Sequence, residues 1–170
     1  MAFTIKALGD FTSTISDIRS GERAYLDGPY GAFSVDRYKA AGCVFVAGGV
    51  GITPVMSMLR TLADRGNDQP LLLIYSSKTW DDVIFREELE ELMKRLNVKV
   101  VHVLREPAEG WQGERSFVTQ ETLKRHLPAD PNSRDYFICG ADVMMDAVEL
   151  ALTELGVSLA HVHSERYNFV

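Results

Sequence analysis

The feature that most constrains the fold is an alternation, from residue 43 onward, between short apolar runs and longer stretches with helical spacing. Most of the runs are continuously apolar and rich in β-branched or aromatic residues, as strands covered on both faces of a parallel sheet are. They fall at residues 43–47, 71–75, 98–104, 136–139 and 160–163. Short connections separate them from the helical stretches, which is typical of an α/β domain. We predict a doubly wound, five-stranded parallel sheet with strand order 3-2-1-4-5.

The helical stretches carry an apolar stripe along one face. They lie at residues 53–65, 83–96 and 142–155. Gly156 follows the last of them and is predicted to be its C-terminal cap. Residues 110–128 are less regular, and we expect one short helix at 123–126, with Thr119 or Thr122 as its cap.

The first 42 residues have a different pattern. Residues 3–7 alternate as an antiparallel strand does, and a short helix is expected near residues 12–18. A second short strand at 24–26 precedes the turn-prone Asp27-Gly28-Pro29-Tyr30-Gly31. These elements cannot form a core alone. We therefore predict that residues 1–40 are the tail end of another domain and that residues 41–170 are the main domain.

Composition narrows the class of protein. The 170 residues include 18 basic and 24 acidic ones, a net charge of −6, which argues against nucleic acid as a partner. The longest apolar run, 43–52, is about half the roughly 20 residues of a spanning helix, and no export signal is seen. Cys43 and Cys139 form no Cys-x-x-Cys pair, so we expect neither a zinc site nor an iron–sulfur cluster. Two cysteines far apart in the sequence fit a reducing compartment, so we expect a cytoplasmic location. His161 and His163 share a face of the last strand but lack a third metal ligand.

A glycine-rich loop follows the first strand and runs into a helix: Gly48-Gly49-Val50-Gly51-Ile52-Thr53-Pro54. Glycine lets backbone approach a ligand, and a helix N-terminus presents unpaired N–H groups that bind phosphate oxygens. Thr53 either caps the helix or donates to a phosphate, and Pro54 suits the first turn. Pro54 also replaces the third glycine of the usual dinucleotide fingerprint. We predict a phosphate- or nucleotide-binding loop, with a merely tight turn as the alternative, and expect Gly51→Ala to weaken binding by crowding a pyrophosphate.

A second signal lies at the end of the fourth strand, in Tyr136-Phe137-Ile138-Cys139-Gly140-Ala141-Asp142, with Met144 following. If the strand order is as predicted, Cys139-Gly140 and the glycine loop flank the switch point where open α/β sheets bind ligands. By itself Cys139 would be a small buried residue. Beside the glycine loop, Cys139 is a candidate to contact one face of a ring of a bound ligand, with Gly140, Ala141 and Met144 as further binding residues.

Two more motifs join these, Gly28-Pro29-Tyr30-Gly31 and the terminal His163-Ser164-Glu165-Arg166-Tyr167. In this order and spacing the four resemble the ferredoxin-NADP reductase superfamily over nearly the whole chain. The closest likeness is to the C-terminal half of ferric reductase-like and NADPH oxidase-like flavoproteins. The resemblance implies that Gly49, Gly51 and Thr53 hold the pyrophosphate or the nicotinamide ribose.

The resemblance also implies two residues at the reacting ring. Cys139 would lie beside the nicotinamide. Tyr167 would occupy the family's terminal aromatic position, resting against the flavin until the nicotinamide displaces it. A half-exposed aromatic without this role is the alternative for Tyr167.

The choice between NADPH and NADH rests on the end of the second strand, Ser76-Ser77-Lys78. An acid there would hold the ribose diol of NAD, whereas hydroxyl and basic groups accommodate a 2′-phosphate. The first acids, Asp81 and Asp82, come later, and Arg86 follows them. The pattern leans toward NADPH, although a solvated loop contains the same residue types.

The superfamily's flavin motif, Arg-x-Tyr-Ser or Arg-x-Tyr-Thr, is absent from the sequence, since Asp36-Arg37-Tyr38-Lys39 does not match it. Residues 3–7 and 21–30 resemble the last strands of a FAD-binding barrel, so the chain is interpreted as a piece of a longer flavoprotein or one part of a split one. The resemblance implies an oxidoreductase that passes hydride from NAD(P)H to FAD and then electrons to haem, ferric iron or another acceptor. A haem-containing membrane domain upstream would place it on the cytoplasmic side of a membrane.

Two expectations follow from the missing motif. This chain alone should bind no FAD and should be inactive. The alternative function is a non-catalytic module that senses NAD(P)H or pairs with a separate flavoprotein.

Overall fold

The computed structural model describes residues 3–28, 30–38 and 40–167. The chain divides into two units, Met1–Ala32 and Phe33–Val170, so the division falls before the boundary predicted at residues 40 and 41.

The first unit contains little regular structure. Its elements are a short helix α1 (Asp10–Thr14) and a 3-10 turn at Ile15–Asp17, and neither contains a buried residue. The strands predicted at residues 3–7 and 24–26 are wrong for this structure, because the described residues of this unit form no strand. An isolated strand leaves its backbone N–H and C=O groups without partners, and no described strand pairs with these segments. Pro29, within the Gly28–Gly31 motif, lies outside the described residues.

The second unit is built on a six-stranded sheet in which every pairing is parallel. The strands are β1 (Cys43–Gly48), β2 (Leu71–Ser77), β3 (Val98–Leu104), β4 (Glu114–Arg115), β5 (Asp135–Cys139) and β6 (Val162–Glu165). Their order is β4-β3-β2-β1-β5-β6. The five predicted strands and their order are confirmed. The predicted count is one too low, because the polar two-residue edge strand β4 shows no apolar pattern.

Four helices cover the sheet. They are α2 (Ile52–Asp64), α3 (Arg86–Arg95), α4 (Gln120–His126) and α5 (Asp142–Glu154). Helix α3 starts later than predicted because Phe85 has a left-handed φ of +61°. Thr119 caps α4 by accepting a hydrogen bond from the Thr122 amide at 3.2 Å, and Gly156, with φ +82°, ends α5 as predicted. None of the helices in the described ranges is long and apolar enough to cross a membrane.

The core has two layers because alternate residues of each strand face opposite sides of the sheet. Phe45, Leu73 and Phe137 pack with α2 and α3 on one face. Val46 and Ile138 pack with α4 and α5 on the other. Helices on both faces confirm the doubly wound α/β architecture and leave the strand ends as the places where loops meet.

Candidate functional site

The glycine loop joins the central strand β1 to helix α2. Residues Gly49–Gly51 form one 3-10 turn between the end of β1 and the start of α2 at Ile52. Gly49 has a φ of +53°, a left-handed conformation that costs other residues free energy. The predicted strand, loop and helix are therefore confirmed, and the loop lies at the carboxyl end of β1.

This loop touches the end of β5 backbone to backbone. A Cβ atom at Gly51 would collide with the carbonyl oxygen of Cys139 and lie 2.5 Å from its carbonyl carbon and 2.8 Å from the Gly140 nitrogen. A Cβ atom at Gly48 would lie 2.6 Å from the Met144 sulfur. The two motifs, far apart in sequence, therefore meet at the switch point between β1 and β5.

The contact corrects the reason given for glycine at position 51. The sequence predicted that a larger side chain would crowd a bound pyrophosphate, but in the structure it would first meet the Cys139 backbone. Gly49 is the loop position that borders open space, because a Cβ atom there would have no atom within 4 Å. Crowding of a ligand is therefore better tested at Gly49.

The start of α2 lies at the same loop. Thr53 Oγ1 donates a hydrogen bond to the Val50 carbonyl oxygen at 3.0 Å, so it closes the loop, and α2 has no side-chain cap. Pro54 is the third residue of α2 and so lies in the first turn, as predicted. Ile52 is fully buried and anchors the start of the helix. Because no side chain caps the start of α2, the positive end of its helix dipole is available to an anion.

Cys139 and Tyr167 lie together beside this loop. The Tyr167 phenol lies close enough to Thr53 and Cys139 for both to shift its pKa, which is raised mainly by burial. Burial also raises the pKa of the fully buried Cys139 thiol to about 11, so the thiol is neutral at pH 7. A neutral thiol is a small apolar surface and no nucleophile. Ala141 follows as the exposed N-cap residue of α5.

Two of the predicted cofactor-binding residues at the carboxyl end of β2 are buried in the structure. Ser76 and Ser77 are buried, and Ser77 is only 4% exposed with no hydrogen-bond partner for its Oγ. Lys78 is exposed and lies 3.4 Å from Glu106. Arg86 lies over the Trp80 ring, 5.5 Å from its centroid. Of the four predicted residues, Lys78 and Arg86 are the exposed ones.

An aromatic cluster at the same place was missed from the sequence. The rings of Trp80 and Trp111 are 5.4 Å apart, and His102 meets Trp80 edge-on at 5.0 Å. Burial lowers the pKa of His102, and its Nδ1 has no hydrogen-bond partner. Trp80 follows Lys78 by two residues, so its closeness to the end of β2 was the available signal.

The paired histidines form a cluster at the opposite end of the sheet. Asp135, the first residue of β5, is 5% exposed, and its Oδ1 lies 3.0 Å from His163 Nε2 and 3.5 Å from His161 Nδ1. His161 belongs to the 3-10 turn Leu159–His161, so its predicted place on the last strand is wrong. Among the described residues no group of His, Cys, Asp or Glu has metal-binding geometry.

A glycine turn at the switch point of a doubly wound sheet defines a dinucleotide-binding class of domain. Comparison with known proteins agrees: residues 45–150 match the family described as "Oxidoreductase NAD-binding domain". The chain belongs to this family, within the ferredoxin-NADP reductase superfamily. The finer likeness to ferric reductases and NADPH oxidases stays a prediction.

Several characterised proteins are similar in sequence. The glycine betaine monooxygenase reductase subunit of Chromohalobacter salexigens is 33% identical over 155 residues, covering 89% of this chain and 42% of that protein. NADH-cytochrome b5 reductase 1 of Aspergillus terreus is 30% identical over 159 residues, covering 89% of this chain and 54% of that protein. The chain therefore spans about half the length of the curated relatives it matches.

Solved structures share the fold. The CS-b5R domains of human Ncb5or, in the NAD+ form, superimpose with a TM-score of 0.81 and 26% identity, over 95% of this chain and 47% of that chain. A ferredoxin NADP+ reductase from Neisseria gonorrhoeae with bound FAD and NADP gives a TM-score of 0.79 at 22% identity, over 95% of this chain and 71% of that chain. The second likeness concerns the fold alone.

Proposed function

We propose that this domain binds NADH or NADPH across the glycine loop and the end of β5, and presents the nicotinamide to FAD held by a separate domain. The observation that carries the proposal is the backbone contact between Gly51 and Cys139, which brings the two motifs together at the carboxyl ends of β1 and β5. Electrons would then pass from FAD to haem, ferric iron or another acceptor. A cytoplasmic location and a membrane haem domain upstream stay predictions.

The nucleotide fits the residues present. Open space beside Gly49 and the uncapped start of α2 suit a pyrophosphate. Trp80 and Arg86 give the end of β2 an aromatic and cationic surface for the adenosine half. The nicotinamide supplies the hydride, and the chain's own task is to bind the dinucleotide and orient that ring beside Cys139 and Tyr167.

FAD does not fit this chain in the same way. The sequence contains no Arg-x-Tyr-Ser or Arg-x-Tyr-Thr motif. Eight of the fifteen exposed large apolar side chains in the described residues belong to the first unit. They are Phe3, Ile5, Leu8, Phe11, Ile18, Tyr25, Leu26 and Tyr30. Such a surface suits burial against the remainder of a larger domain, which we propose is the FAD-binding domain.

The missing motif also favours the second candidate, a non-catalytic subunit that senses NAD(P)H or pairs with a separate flavoprotein. Titration calorimetry of the chain with NADH and NADPH, together with an absorbance spectrum, tests both candidates. We expect nucleotide binding without bound flavin. Adding a complete FAD-binding domain should then give NAD(P)H-dependent flavin reduction; binding without reduction would favour the non-catalytic candidate, and absence of any nucleotide binding to the chain and to this mixture would refute both.

We further propose that NADH binds at least as tightly as NADPH. The sequence leaned toward NADPH because of Ser77, Lys78 and Arg86, but Ser77 is buried and Lys78 faces the Glu106 carboxylate. Arg86 remains as the cation for a 2′-phosphate. Arg86→Ala should weaken the binding of NADPH more than that of NADH, with Arg95→Ala, at the other end of α3, as the control. Tighter binding of NADPH than of NADH by the unaltered chain would contradict this proposal.

A further inference from the structure

The guanidinium of Arg166 forms ion pairs with three carboxylates of one helix, α5. It lies 2.8 Å from Asp146, 3.0 Å from Glu149 and 3.5 Å from Asp142. These acids are spaced four and three residues apart along α5, so they share one face of it. A single exposed ion pair stabilises little, but a guanidinium shared by three carboxylates has a defined place.

A second bond ties the same segment to α5. Ser164 Oγ donates to Glu149 Oε1 at 2.6 Å, while Arg166 donates to the other oxygen of that carboxylate. Strand β6 ends at Glu165, whose partner in the sheet is Cys139. Beyond that pair the sheet ladder no longer directs the chain, so side-chain bonds from Arg166 set the direction of the residue that follows.

That residue is Tyr167, whose phenol lies near Cys139 and Thr53. Tyr167 is 47% exposed, whereas the Cys139 thiol beneath it is fully buried. The phenol therefore occupies the place beside Cys139 where the proposed function puts the nicotinamide. A nicotinamide can enter only when this side chain moves away.

We propose that Arg166 is a positioning residue that holds Tyr167 over the nicotinamide end of the site and so sets how easily the nicotinamide enters. The inference rests on the proposed function. It predicts that loss of the α5 contacts frees Tyr167, favours nicotinamide entry and exposes Cys139.

The first test compares NAD+ with ADP-ribose, which lacks the nicotinamide and does not compete with Tyr167. Calorimetry on the full chain should show that Arg166→Ala tightens NAD+ about threefold to tenfold, the range expected from losing one competing ring contact, with ADP-ribose unchanged. Tyr167→Ala should have the same effect, and the double variant no larger one. Arg166→Lys should lie nearer to the unaltered chain, and Arg125→Ala, in the separate Glu114 pair, is the control.

Equal changes for NAD+ and ADP-ribose in Arg166→Ala would assign Arg166 a purely structural role and overturn the proposal. So would an additive effect in the double variant. If the unaltered chain binds neither ligand, alone or mixed with a FAD-binding domain, the proposed function fails, and the second test still examines whether Arg166 holds Tyr167 in place.

The second test needs no nucleotide. Iodoacetamide labelling at pH 9, followed by peptide mass spectrometry, should modify Cys139 at least threefold faster in Arg166→Ala and Tyr167→Ala than in the unaltered chain. Cys43, at the start of β1, is the internal control and should react at one rate in all three. An unchanged Cys139 rate in Arg166→Ala would show that Arg166 does not hold Tyr167 in place.

Discussion

Replacing Gly51 with alanine should destabilise the fold itself. The new Cβ atom would lie 2.5 Å from the Cys139 carbonyl carbon and 2.8 Å from the Gly140 nitrogen. Both are backbone atoms of β5 and its end, which cannot rotate away as a side chain does. Overpacking of this kind typically lowers the free energy of unfolding by about 1–3 kcal/mol. Because the backbone neighbours are fixed, we expect a loss at the upper end, about 3 kcal/mol. In a domain of this size that lowers Tm by about 6–12 °C.

Two other glycines provide matched controls. Gly49 and Gly66 have φ values of +53° and +64°, and a Cβ atom at either would meet nothing within 4 Å. Alanine in this conformation costs about 1–2 kcal/mol, so both variants should lose a similar, smaller amount of stability. Only Gly49→Ala should also weaken nucleotide binding, because Gly66 follows the carboxyl end of α2 and not the glycine loop.

Thermal unfolding and ADP-ribose titration of the three variants separate the two effects. A Tm for Gly51→Ala within 1 °C of the unaltered chain would refute the backbone contact between the loop and β5. Equal nucleotide affinity in Gly49→Ala and Gly66→Ala would refute the assignment of the open space beside Gly49 to the ligand.

Two further predictions concern the two free thiols, Cys43 and Cys139, and the buried carboxylate of Asp135. Burial raises the pKa of Cys43 to about 12 and that of Cys139 to about 11, so the folded chain retains protons that the unfolded chain releases above about pH 8.5. Tm should therefore fall as the pH rises from 9 toward 12, and it should fall further in the unaltered chain than in a Cys43→Ala/Cys139→Ala variant. A smaller fall in the unaltered chain than in that variant would contradict this. Asp135→Ala removes the partner of His163 and should lower the free energy of unfolding by about 1–3 kcal/mol without changing ADP-ribose affinity. An unchanged urea midpoint would show that this buried pair contributes no stability.

Strand positions were predictable where burial on both faces dictates the residue type. β1, β2 and β5 are buried along most of their length, so a continuous apolar run marked each of them. β2 nevertheless continues through Ser76 and Ser77, because its pairing with β3 extends to Ser77 opposite Leu104. Backbone hydrogen bonds stabilise these last two residues of the strand. Because such bonds do not depend on apolar side chains, an apolar pattern does not predict them.

The candidate site was predictable in its topology and not in its distances. The order of the strands brings the glycine loop to Cys139, whatever the exact spacing. Whether a Gly51 side chain would meet ligand or backbone depends on a separation of a few ångströms, which residue types do not encode. Ser77 shows the same limit. A serine at a strand end can be exposed or buried, and the sequence does not tell which, because burial depends on the neighbours that the fold brings to it.

The first unit shows what a strand pattern requires beyond its own sequence. Residues 3–7 alternate apolar and polar side chains as an antiparallel strand does, yet they form no strand, and Phe3 and Ile5 are exposed. Alternation specifies which side chains should be buried, but a strand also needs a neighbour to pair its backbone. The same apolar residues that lack cover in this chain are the ones that the proposed FAD-binding barrel would bury. Pairing with a FAD-binding domain should therefore protect the amides of residues 3–7 from hydrogen exchange, and continued fast exchange in such a complex would exclude this segment from the barrel.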